Sequence, residues 1–244
     1  NAFSLLRMRG FQQTPIYFLP GPETLKWDMQ TNNLFAGPRV VDIDISNACT
    51  HDCVFCGFYA PAVIENFKKQ GGGKLSEQVK THLSMKLPEA KCFSILEELT
   101  DRTEYIQFGG NGDPFMHKQM TRFIEKARRR GIRVSCLTNF AYMDEEALKR
   151  LHEVSGPDPF ELHIVVNISG ATADTYLKTR PKQKAATYER VLNHIKKLQQ
   201  LSDEDSHRGV GLTLMCVVNK LNYHEMPDFV RLANELGVYQ LWLK

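Results

Sequence analysis

The chain has no apolar run near the ~18 residues that cross a bilayer as a helix, so no membrane span is expected. It opens on Asn1-Ala2-Phe3 with neither a charged head nor an apolar stretch behind it, and no signal peptide is visible. An excess of either charge is also missing: 31 Lys and Arg face 28 Asp and Glu, a net +3. That balance is too even to argue for nucleic acid or membrane as a partner. The densest basic run, Arg128-Arg129-Arg130 with Arg133, falls at the end of a predicted helix, where cations favour the helix dipole. It reads as a solvated face, with a docking patch for an acidic electron donor as the alternative. There is no internal repeat and no low-complexity tract. An initiating Met is lacking and the chain stops at Lys244, beside a predicted strand, so it reads as an excerpt of a longer protein.

The sequence does contain an alternation of short apolar runs and amphipathic segments, and at 244 residues it can bury one sizeable core. Strands are predicted over 40–45, 105–108, 132–137, 162–168, 210–218 and 239–243, with helices over 88–99, 117–130, 144–154, 184–201 and 223–236. Met120, Phe123, Ile124 and Ala127 share one face of the second of these helices, and Tyr188, Val191, Leu192, Ile195 and Leu198 one face of the fourth. Residues 61–87, polar and interrupted by Gly71-Gly72-Gly73, read as a mobile loop. Residues 1–39 read as an N-terminal extension and 40–244 as the core domain. Six βα steps imply an α/β fold of parallel strands joined by right-handed crossovers, either doubly wound or a (β/α) barrel piece. Both gather their chemistry at the carboxyl ends of the strands.

The six cysteines do not form the framework of a small secreted domain, because three of them, Cys49, Cys53 and Cys56, fall within eight residues after the first strand. Three thiolates on so short a loop can converge on one centre, and three ligands leave a cubane iron open for chemistry. Zinc with His51 as fourth ligand is the rival, weakened by the lack of a second cysteine pair. Cys92, Cys136 and Cys216 lie on predicted elements and are expected to be buried; a thiyl hydrogen donor is the minority reading of the last two.

The CxxxCxxC spacing, with the aromatic Phe55 before the last cysteine, resembles the signature of the radical S-adenosylmethionine (radical SAM) superfamily. The resemblance runs over residues 40–243 and implies a partial (β/α)6 TIM-like barrel. Phe108-Gly109-Gly110-Asn111-Gly112-Asp113-Pro114 after the second strand is similar to that family's glycine-rich motif, with Asp113 where the motif usually has Glu. Thr138-Asn139 resembles its TNG, with Phe140 in place of Gly. The run from Asn167 and Ser169 to Tyr176, with Arg180 behind it, is similar to a motif of the branch whose members often carry a SPASM or twitch extension. Val217-Val218-Asn219 and Asn222 look like that branch's VVN-x-x-N.

The resemblance implies a [4Fe–4S] cluster on Cys49, Cys53 and Cys56, and S-adenosyl-L-methionine held by Phe55, Gly110, Gly112, Asp113, Asn167, Ser169, Arg180 and Val218. Within that set the glycine motif and Asp113 would serve the methionine amino group. The strand-four residues and Arg180 would serve the ribose and carboxylate, and Phe55 and Val218 the adenine. A solvated surface arginine is the alternative for Arg180. The implied activity is reductive cleavage of the cofactor to a 5′-deoxyadenosyl radical that takes hydrogen from a substrate. The substrate is a peptide or protein side chain, or else a small molecule such as a sugar or cyclitol. A flavodoxin- or ferredoxin-like low-potential donor and a cytoplasmic, reducing location are implied with it.

Overall fold

A computed structural model describes residues 38–205 and 207–244. Six strands pair only in parallel: β1 (Val40–Asp44), β2 (Tyr105–Gly109), β3 (Arg133–Thr138), β4 (Leu162–Asn167), β5 (Gly211–Cys216) and β6 (Gln240–Leu243). They stand side by side in chain order. A doubly wound sheet reverses its order at a switch point. This one never does, so its crossovers all return on one side and the open sheet is the partial (β/α)6 barrel.

The period of two along each strand divides its residues between two environments. Ile106, Phe108, Val134, Cys136, Ile164, Val166, Leu212 and Leu214 face the helices and form one continuous core with them. The intervening Gln107, Ser135, His163, Val165 and Met215 line a concave cavity of about 720 Å³. Within it, His163 Nε2 lies 2.6 Å from Thr213 Oγ1. Burial lowers the pKa of this imidazole to about 4, so it stays neutral near pH 7.

Eight α-helices are described: α1 (Pro61–Gln70), α2 (Glu77–Ser84), α3 (Glu89–Glu98), α4 (Met120–Arg129), α5 (Glu145–Glu153), α6 (Ala173–Thr179), α7 (Ala185–Glu204) and α8 (Met226–Glu235). The apolar faces anticipated for α4 and α7 are buried as predicted. Cys92, Cys136 and Cys216 lie in the core.

The structure corrects several expectations. Residues 61–87 are mostly helical, and the three glycines are only the turn between α1 and α2. Neither helix fully buries a residue, and their apolar stripes are short: Val63, Ile64 and Phe67 in α1 and Val79 and Leu83 in α2, all only partly buried. The surviving local signals are Pro61 at the start of α1 and Ser76, whose hydroxyl accepts from Val79 N at the start of α2. α6 was not predicted either; Thr172 caps it by accepting from Thr175 N at 3.2 Å. The basic run is largely exposed at Arg129, Arg130 and Arg133, as expected of a solvated face, but Arg128 is partly buried against Glu161 and Arg130 donates to the carbonyls of Leu96 and Leu99. Residues 1–37 of the predicted extension lie outside the described residues. Among the described residues no helix is long and apolar enough to cross a membrane.

Candidate functional site

The loops after β1 to β5 meet at the carboxyl edge of the sheet. The first carries Cys49, Cys53 and Cys56, all free and half-buried. Their loop is fastened to the segment around the end of α6. Val54 N donates to Thr179 O at 3.0 Å, Lys182 N donates to the Asp52 carboxylate at 3.1 Å, and Gln183 Nε2 donates to Thr50 O at 2.8 Å. His51 Nε2 lies 2.7 Å from Tyr176 Oη and its Nδ1 lies 3.1 Å from Thr50 Oγ1. Burial is the main force that pushes the Cys49 thiol up to about 12, and the charge of Asp113 adds to it. A metal that binds there must therefore displace protons, and its uptake weakens as pH falls.

The β2 loop approaches this segment closely. A Cβ on Gly112 would stand 2.4 Å from Ala48 O and from Asn47 C, so only glycine fits without displacing backbone. Gly110 sits at φ +117, in the region glycine tolerates. Asp113 is buried, with both carboxylate oxygens engaged: Oδ1 accepts from Phe115 N at 2.9 Å, and Oδ2 accepts from Thr138 Oγ1 at 2.8 Å and Asn139 N at 2.7 Å. Burial raises its pKa, and these three donors oppose the rise. The carboxylate thus ties the β2 loop to the end of β3. Asp113→Ala would strand the Asn139 amide and the Thr138 hydroxyl in a buried place, at about 1–3 kcal/mol for each group. Urea unfolding should show a loss of about 3 kcal/mol, partly restored in Asp113→Asn. An unmoved midpoint would mean that this carboxylate does not hold the two loops.

Phe140 occupies the position that is glycine in the TNG motif, and it adopts φ +57. The left-handed backbone is retained without the glycine because the ring is fully buried, set edge-on to Phe115 and His194 at centroid distances of 6.3 and 5.8 Å. Ser169 also has a left-handed backbone, at φ +44.

Polar groups bind the ends of β4 and β5 together. Ser169 Oγ donates to Asn167 Oδ1 at 2.6 Å and accepts from Val217 N at 2.9 Å. Asn222 Nδ2 donates to Ser169 O at 3.1 Å and Val217 O at 2.9 Å. Glu225 accepts from the hydroxyls of Thr172 and Thr175 at 2.8 and 2.6 Å and from Ala171 N at 3.0 Å. Arg180 is fully buried, which overturns the surface-arginine reading. It donates to the carbonyls of Ile168 and Asn167, to Asn167 Oδ1 and to Thr179 Oγ1.

Of the eight residues expected at the cofactor, Gly110 and Val218 are exposed and Phe55 is half-buried. Asp113, Ser169 and Arg180 are buried and bonded within the protein. Sequence reasoning missed Glu225, the ring contact of His51 and the amide of Asn139, whose partners lie far away along the chain.

The thiols have the surroundings of an iron–sulfur site. Cys56 Sγ accepts from Tyr59 N at 3.2 Å and Phe58 N at 3.4 Å. Cys49 Sγ accepts from His51 N at 3.4 Å and lies 3.7 Å from Asn139 Nδ2. Such donors stabilise thiolate charge and tune cluster potential. The zinc alternative fits poorly, because both ring nitrogens of His51 are engaged elsewhere. Among the described residues, no three Cys, His, Asp or Glu side chains close around a single ion.

Comparison with known proteins bears on this arrangement. The chain is 28% identical over 135 residues to the tungsten-containing aldehyde ferredoxin oxidoreductase cofactor-modifying protein of Pyrococcus furiosus, over 54% of this chain and 35% of that protein. Streptococcus suis SuiB bound to S-adenosylmethionine superimposes with a TM-score of 0.62 at 15% identity, covering 91% of this chain and 43% of SuiB. The structure of anSMEcpe with bound AdoMet and Cp18Cys peptide gives a TM-score of 0.53 at 15% identity, covering 84% of this chain and 49% of that one. At these identities the structural likeness is one of fold, and the chain spans less than half of each of these relatives. The family model described as "Radical SAM superfamily" matches residues 43–233, from the first strand through to the last described helix. The chain therefore belongs to the radical SAM superfamily, whose members work with a [4Fe–4S] cluster and S-adenosylmethionine.

Proposed function

We propose that the chain is the catalytic core of a radical SAM enzyme that takes hydrogen from a peptide or protein side chain. The observation that carries this reading is the cysteine loop: three half-buried thiols on a fastened segment, at the edge where four further loops converge. Cys49, Cys53 and Cys56 would hold the cluster. The chemistry that group supplies when bound is one-electron cleavage of S-adenosylmethionine, giving the 5′-deoxyadenosyl radical that abstracts hydrogen.

The chain's own contribution is to bind, orient and shield. The exposed backbone of Gly110 and the surfaces of Phe55 and Val218 are available to the cofactor, along with the partly exposed Gly112 and Asn167 at the same edge, while the buried Ser169 holds Asn167 Oδ1. Asp113 and Arg180 shape the loops that receive it. The concave cavity lined by His163, Gln107 and Met215 extends to Arg39, Glu104 and Arg133 at the amino ends of the strands and includes none of the cofactor residues, so it is not assigned to the substrate.

Support for a peptide comes from fold neighbours described in complex with one: SuiB with precursor peptide SuiA, and anSMEcpe with Cp18Cys peptide. Support for a small molecule comes from the Pyrococcus furiosus relative, described as a cofactor-modifying protein. The full chain, reconstituted anaerobically with iron and sulfide and given dithionite and S-adenosylmethionine, should release 5′-deoxyadenosine. No release above an iron-free control would sink the reading.

A further inference from the structure

Arg180 heads the fully buried side chains by size, with 0% of its surface exposed. Its partners are all neutral. Nη1 donates to Ile168 O and, at 2.9 Å, to Thr179 Oγ1; Nη2 donates to Asn167 O at 2.9 Å and Asn167 Oδ1 at 3.0 Å. Among the described residues no carboxylate pairs with it, and its buried Nε has no partner at all. The guanidinium stacks near Tyr176, 4.7 Å from the ring centroid, and Phe55, 5.7 Å away.

This arrangement is costly as it stands. Taking a cation out of water without a counter-ion costs several kcal/mol, and arginine does not shed its proton to escape. A negative charge must therefore complete the site. Donor counting bears on which one. Of five N–H groups, four are committed to β4 and α6, which leaves one where gripping a carboxylate bidentately takes two. The cysteine loop lies against the cation: Phe55, whose ring the guanidinium faces at 5.7 Å, stands between Cys53 and Cys56, and Val54 N donates at 3.0 Å to the carbonyl of the adjacent Thr179.

We infer that Arg180 is the built-in counter-charge of the metal site, a buried cation that favours one-electron reduction of a cluster on Cys49, Cys53 and Cys56. The inference rests on the cluster assignment made above. The electron comes from the external low-potential donor and adds one negative charge to the site. No bond forms or breaks, and Arg180 keeps its proton in both states.

The test is a potentiometric titration, followed by electron paramagnetic resonance, of the anaerobically reconstituted full chain without S-adenosylmethionine. Arg180→Gln should disfavour reduction about tenfold, a fall of about 59 mV for one electron. Arg180→Lys, which keeps the charge, should stay close to wild type. Asn167→Asp keeps the shape and sets a carboxylate against the guanidinium, so it should lower the potential as well; it carries the test if Arg180→Gln does not fold. Normal iron and sulfide content with unmoved potentials in both charge-altering variants would overturn the inference alone. So would an effect confined to S-adenosylmethionine affinity. A wild-type chain that takes up no cluster would overturn the proposed function and this inference with it.

Discussion

Cys53→Ala protein should unfold at the wild-type temperature, yet take up little iron and form no 5′-deoxyadenosine above an iron-free control. The two halves of this result have separate causes. The thiol is only half-buried, and none of the hydrogen bonds that fasten its loop passes through the sulfur of Cys53. Val54 N, the Asp52 carboxylate, Thr50 O and the His51 ring reach Thr179, Lys182, Gln183 and Tyr176 whether or not residue 53 carries a thiol. A substitution that touches no packed feature usually stays within about 0.5 kcal/mol. The chemistry tolerates no such loss, because two thiolates do not hold a cubane that needs three. Iron and sulfide analysis beside a melting curve reads both quantities. A joint loss of fold and iron would show that the thiol has a structural role, and normal iron content would remove Cys53 from the ligand set.

Gly112→Ala should damage the cysteine site from outside it. The added methyl would lie 2.4 Å from Ala48 O and Asn47 C, both backbone atoms, so no side chain can swing aside to relieve it. Either the β2 loop or the segment leading into Cys49 has to move. Overpacking of this kind costs about 1–3 kcal/mol, occasionally more. The displacement would also fall directly on the residue before Cys49 and on the bond from Asp113 N to Ala48 O, 2.9 Å long. Iron content after reconstitution should drop several-fold. Gly109→Ala is the matched control for stability and iron loading, since its Cβ would meet nothing within 4 Å. Equal behaviour of the two variants would mean that the close approach of these loops is not what positions the cysteines.

The six strands and the cysteine loop are legible in the sequence because their signals are local. Each strand is a short apolar run, and 49–56 carries its three thiols within one turn of chain. The choice between a doubly wound sheet and a barrel piece depended on strand order, which no local spacing encodes. α1 and α2 escaped because their apolar stripes are only two or three residues wide and sit among polar residues and three glycines. The polar framework escaped for a different reason. Glu225 meets Thr172 across 53 positions and His51 meets Tyr176 across 125, and no feature of either neighbourhood points to the other. Motif resemblance picks out Arg180 in the sequence, but its complete burial appears only once β4 and α6 have closed over it.

The fastening of the cysteine loop has a thermodynamic consequence. Small zinc modules fold only around their ion, and the ordering of the chain is charged against metal affinity. Here residues 50–54 are tied to residues 176–183 by bonds in which no metal takes part. The backbone entropy, about 1–2 kcal/mol for each residue fixed, is lost when the barrel folds rather than when iron arrives. The free energy of metal binding is then left largely for thiolate formation and ligation.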